Sequence, residues 1–207
     1  MTVPTYPESE RIYISHIEGE LMSLGRYVGD FGSAVSLFNF CNQFGLDVTS
    51  RWQFVAARDG AMSIYHVAKA IEGIRACFRD CPTYKEAVDH SKLREAAKEL
   101  HVTFPGYDQL RHAIAHNAEL RRNVEHASKN ATQGPFEDFG VAIDAGSSVS
   151  IGNGLNGNKF FTSIEGVMAS YEISYGSLRA LSKILDIFEN GFIPAGYTPL
   201  RMLRQLA

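Results

Sequence analysis

The chain lacks the means to span a membrane, to be stapled by disulfides or to coat nucleic acid through its overall field. No apolar run approaches the about 20 residues that a membrane helix needs, so no membrane partner is expected. Three cysteines do not make a disulfide framework. Cys77 and Cys81 stand four apart at an expected helix end, where they could be half of a metal site. No second cysteine pair or suitably spaced histidine pair accompanies them, so reduced structural thiols are expected. A formal net charge of −3 excludes a strongly basic protein, and any contact with RNA or DNA has to be local. The opening string MTVPTYPESERIY has early acidic residues and no apolar run, unlike a signal peptide, and a cytoplasmic protein is expected. The glycine-rich stretch 147–158 has no lysine followed by Ser or Thr, so turn chemistry explains it better than a phosphate-binding loop.

What remains is ordinary globular composition: 207 residues, 45% hydrophobic and 21% charged, enough for one compact domain over residues 1–207. Apolar spacing predicts helices over residues 8–44, 50–79, 83–100, split or bent near His90–Ser91, and 107–128. Gly25, Gly29 and Gly32 argue against one unbroken helix in the first of these. Alternation in Val149–Ser150–Ile151 and again in Phe160 to Ile164, separated by Asn and Gly, predicts a β-hairpin. A long amphipathic helix is expected over 163–190, stopped by Gly191, with a short last helix over 200–206. The expected fold is all-α: a bundle of about five main helices with a small β-hairpin insertion, about 147–163, before the last long helix. Trp52 reads as a core anchor and His66 as a packed or half-buried ring.

The most informative stretch is Leu110–Arg111–His112–Ala113–Ile114–Ala115–His116–Asn117. Pro105 and Gly106 break what precedes it, and Asp108 can cap or charge the first helical turn. At about 100° per residue, His112 and His116 share a helix face, opposite the stripe of Leu110, Ala113 and Ile114. Arg111 stands to the side, but its long stem lets the guanidinium swing toward that face. A permanent cation beside groups that titrate near neutral pH, close to a helix N-terminus, suits a phosphodiester. Arg58 and Asp59 are adjacent, so they do not face each other on a helix; they are lesser candidates for lining such a cleft.

A helical bundle whose penultimate long helix carries Arg, a polar residue, three further residues and His resembles the HEPN superfamily. The matching residues are Arg111, His112 and His116 in the string LRHAIAHN. The segment WQFVAARDGAMSIYHV, the Phe104–Pro105 pair and the hairpin before the final helix add to a likeness that covers about residues 50–190. It implies a homodimer whose motif helices build a shared cleft for metal-independent cleavage of RNA, with no cofactor. In that setting Arg111 would bind the scissile phosphate and offset its developing charge. His116 would move the proton of the 2′-hydroxyl or of the leaving 5′-oxygen, and His112 would help to orient the site. The same likeness suggests a toxin or defence role, with an antitoxin or another protein as partner.

Three other readings stay open on the residues alone. One is a non-catalytic HEPN-like module that binds protein or nucleotide. Another is a zinc site on His112 and His116, whose four-residue spacing suits that metal, with Glu119 near. The last is a plain helical interaction domain.

Overall fold

A computed structural model describes residues 4–43, 47–133, 139 and 147–199. The chain is mostly helical among these residues. Its α-helices are α1 (Arg11–Asn42), α2 (Asp47–Cys77), α3 (Pro82–Ala87), α4 (His90–Thr103), α5 (Tyr107–Ala115), α6 (Asn117–Leu120), α7 (Val124–Lys129) and α8 (Tyr175–Asn190). The strands are β1 (Thr132–Gln133), β2 (Ser148–Val149), β3 (Gly154–Asn156), β4 (Lys159–Ile164) and β5 (Val167–Glu172). The helix expected over 200–206 lies outside the described residues. No described helix is long and apolar enough to cross a membrane.

The glycines do not interrupt α1. Ile17, Leu21, Leu24, Val28, Phe31, Val35 and Phe38 form one buried stripe along it. Each glycine weakens a helix by only about 1 kcal/mol, whereas each of those side chains gains roughly 1.5–3 kcal/mol from full burial. Gly25 and Gly29 take the outer face, where that penalty is easily offset. The split or bend expected near His90–Ser91 is a break between α3 and α4 at Val88–Asp89.

The chain groups into two compact units. The first takes residues 1–29, 66–103 and 179–207. Val67, Ile71 and Ile74 of α2, Leu93, Ala96 and Leu100 of α4 and Leu181, Ile184 and Phe188 of α8 are buried in it. Phe192 sits among Phe78, Tyr84 and Phe188, with ring centroids 6.1, 6.4 and 5.4 Å away. Glu10, buried, receives hydrogen bonds from the backbone N–H groups of Thr83 and Tyr84 at 3.1 and 3.0 Å, which ties the amino-terminal segment to the start of α3. His66, expected as a packed or half-buried ring, is exposed and stacks on Tyr27 at 5.1 Å.

The second unit takes residues 30–65 and 104–178. Its centre is the antiparallel sheet β3–β4–β5, with Leu155 opposite Phe160, Phe160 opposite Tyr171, and Ile164 opposite Val167. Phe31, Phe104, Phe160 and Tyr171 are buried, and Phe31 lies 6.3 Å from Phe104 and 6.2 Å from Tyr171. The Tyr171 hydroxyl donates to the carbonyl of Ala57. Trp52 is 52% exposed, and the core position next to it is taken by Ala56 and Ala57.

Three expectations change here. Residues 163–172 are strand and turn, so the last long helix begins at Tyr175. Ile164, Val167, Met168 and Tyr171 satisfy helical spacing, but Glu165 and Gly166 both have positive φ, 50° and 80°, and make the two-residue turn of a hairpin. The expected partner strand around Val149–Ile151 pairs elsewhere: Ser148 and Val149 pair with β1, while β4 pairs with β3 and β5. Ile151 still touches β4, receiving a 3.0 Å bond from the Ser163 N–H. The helix expected over 107–128 is three short helices, broken at His116 and again at residues 121–123. Asn123 restarts the chain by accepting from the His126 N–H at 2.9 Å, the usual work of an N-cap asparagine.

Candidate functional site

The site is built on α5. Gly106 precedes it with φ 75°, a left-handed conformation that glycine adopts without strain, and turns the chain into the helix. Asp108 does not cap the helix; it contributes charge within the first turn. Tyr107, Leu110 and Ala113 are buried, and this anchoring fixes which side chains face outward.

Arg111 is half-buried, with its guanidinium carbon 5.4 Å from the centre of the Tyr65 ring. Such a contact restrains a long side chain without using its hydrogen-bond donors. Arg111 and His112 line an open cavity of about 310 Å³ together with Tyr65, Asp108, Gln109, Ile164 and Glu165. His112 is exposed, and its ring lies 4.9 Å from that of His116. The two imidazoles are therefore neighbours, as helical spacing predicts.

His116 occupies the end of α5 with φ −115° and ψ 20°, and its N–H donates to the His112 carbonyl at 3.0 Å. Its Nδ1 stands 2.8 Å from Glu119 Oε2. A carboxylate only accepts, so Nδ1 carries the proton in this pair and Nε2 of the neutral ring keeps its lone pair. His116 is thus oriented as a base would be. It does not line the cavity that holds Arg111 and His112.

Arg121 holds the neighbouring backbone. Its guanidinium donates to Asn117 Oδ1 at 2.9 Å, to the Ser163 carbonyl at 2.9 Å and to the carbonyl of Ile151. Burial lowers its pKa from the ordinary value. It therefore serves as a brace between α6 and the sheet. Asn130, buried, donates through Nδ2 to the carbonyls of Leu120 and His126 at 3.1 and 2.9 Å, and its Oδ1 receives the Glu165 N–H at 3.2 Å.

Arg58 and Asp59 are exposed and do not line the cavity. Cys41, Cys77 and Cys81 are free thiols; Cys81 donates to the Cys77 carbonyl at 3.3 Å, and burial pushes its thiol up to about 11. Among the described residues no group of three or more His, Cys, Asp or Glu is placed to hold a metal ion, so the zinc reading of His112 and His116 gains no third ligand. Tyr65, Gln109 and Glu165 were not expected at the site. Only Gln109 had a signal in its position on the motif helix. A scan of models of known families, a search of curated proteins and a search of solved structures each found no match to this chain.

Proposed function

We propose that this protein is a metal-independent endoribonuclease of the HEPN type, acting as a homodimer. The observation that carries the reading is that Arg111 and His112 line one open cavity while the His112 ring lies beside His116. RNA brings its own nucleophile, so the protein has only to align it, move protons and offset charge. The 2′-oxygen attacks the adjacent phosphorus and loses its proton to an imidazole. The bond from phosphorus to the 5′-oxygen breaks, and that oxygen takes a proton. The products are a 2′,3′-cyclic phosphate and a 5′-hydroxyl.

In this scheme Arg111 grips the phosphate oxygens with its planar fork, which a lysine could not match. His116 Nε2 is the base or acid, held by Glu119, and a placed histidine typically contributes ~10²–10⁴-fold. His112 orients the substrate. A second copy of the chain would supply a second imidazole, so that one is base and the other acid. A toxin or defence role, checked by an antitoxin or another protein, fits such an activity.

His116's position off the cavity lining favours one alternative, a non-catalytic module of the same type that binds nucleotide or protein. The test is cleavage of single-stranded RNA and tRNA in EDTA by wild type, Arg111→Ala and His116→Ala. Cleavage that persists in chelator and disappears in both variants supports the nuclease. Folded, dimeric protein without activity supports the binding module, and cleavage abolished by EDTA refutes the metal-free route.

A further inference from the structure

The turn between β4 and β5 carries a residue that its own backbone disfavours. Glu165 and Gly166 are its two central residues, with φ 50° and 80°, and Glu165 is the one non-glycine residue with positive φ among the described residues. Turns of this kind strongly prefer Asn or Gly at the first position, because a longer side chain is strained there. The strained residue lines the cavity shared with Arg111 and His112. Its conformation is held from outside the turn: the Glu165 N–H donates to Asn130 Oδ1, and Asn130 is itself fixed to the carbonyls of Leu120 and His126. Strain kept in place by surrounding structure is found mainly where a side chain has to be aimed.

We infer that Glu165 is a base-reading residue, and that the cavity takes a single unstacked guanine next to the phosphate held by Arg111. This rests on the nucleic-acid reading of the site proposed above. The cavity, about 310 Å³, lies at the small end of ligand pockets. It suits one splayed nucleotide and not a duplex, and single-stranded RNA is read through such nucleotides. The Tyr65 ring, which carries the Arg111 guanidinium, forms part of its wall.

A carboxylate has two acceptor oxygens and no donor. On its Watson–Crick edge guanine presents N1–H and the 2-amino group side by side, two donors that match those oxygens. Adenine, cytosine and uracil each set an acceptor beside their donor, which would face a carboxylate oxygen with repulsion. Glu165 therefore selects by attraction to one base and by repulsion of the other three.

The test separates base reading from catalysis. Non-cleavable oligonucleotides with 2′-O-methyl ribose, uridine throughout except for one central G, inosine, A or C, are titrated against the full chain by fluorescence anisotropy. Inosine differs from guanosine only in lacking the 2-amino group. Wild type is expected to bind the G oligonucleotide about tenfold or more tightly than the inosine one, and Glu165→Gln, shown folded by its melting curve, is expected to bring that ratio close to one. Equal affinity for all four, or a G preference unchanged in Glu165→Gln, overturns the inference. If RNA is cleaved in EDTA without any base preference, the inference fails and the nuclease stands. If guanine is preferred and no RNA is cleaved, the inference stands and the nuclease reading fails.

Discussion

Gly60→Ala should destabilise this protein even though alanine is the better helix former. Gly60 lies within α2, beside the side chain of Tyr171 from β5. An added Cβ would stand 2.5 Å from Tyr171 Oη and 3.3 Å from Phe31 Cε2. Neither neighbour can yield freely: both rings are buried, and the Tyr171 hydroxyl is bound to the Ala57 carbonyl. The gain in helix propensity is about 1 kcal/mol. Overpacking costs about 1–3 kcal/mol, and loss of the hydroxyl's hydrogen bond adds about 1 kcal/mol. The balance is a loss of about 2 kcal/mol. Tyr171→Phe alone should cost about 1 kcal/mol, but it removes the atom that the new methyl would strike. In that background Gly60→Ala should become neutral or stabilising, so the two changes couple by on the order of 2–3 kcal/mol. Urea unfolding followed by circular dichroism measures this through the transition midpoint at constant slope. Additive effects, or a Gly60→Ala protein more stable than wild type, would refute the packing described for this unit.

Other expectations concern charge and capping. The Glu10 carboxyl sits below its usual range: burial opposes the shift, but the N–H groups of Tyr84 and Thr83 outweigh it. Its stabilisation is present above the ordinary 4.5 and fades as pH falls through the lowered value, so Glu10→Gln should lower the melting temperature at pH 7, and the difference from wild type should shrink as the pH is taken below 4.5. Glu189 is the reverse case. Burial raises its carboxyl despite the Tyr197 hydroxyl, so its contribution is lost as pH rises through the raised value. Glu189→Gln should therefore raise the melting temperature at pH 7 and change little at pH 4. Asn123→Ala removes the cap of α7 and should cost about 1 kcal/mol, seen as faster hydrogen exchange over residues 124–129.

How much was legible depends on whether a signal was local. The buried stripes of α1 and α2 were readable because burial repeats at helical spacing over many turns. The neighbouring of His112 and His116 follows from the same geometry. Residues 163–172 misled because Ile164, Val167, Met168 and Tyr171 fit helix and strand alike, and only Glu165–Gly166 marks the turn. The motif helix breaks at His116 and again at residues 121–123, and at the second break Arg121 donates to the carbonyls of Ile151 and Ser163, distant partners that no spacing rule contains. Trp52 shows the limit of residue-type arguments: a large aromatic on an amphipathic helix was expected inside, and small alanines took that place. Tyr65 and Glu165 reach the cavity from elements far apart in sequence from α5, so they could not be assigned to it beforehand.

In the proposed reaction the RNA supplies the nucleophile, and Arg111 and His116 act on its phosphate. The direct measurement is cleavage in EDTA of an RNA carrying one 2′-deoxyribose immediately 5′ to the mapped cleavage site, beside its all-ribose parent. The parent should give 2′,3′-cyclic phosphate ends, and the substituted strand should not be cut at that linkage. Cutting of the substituted linkage, or 3′-hydroxyl ends from the parent, would contradict this reaction.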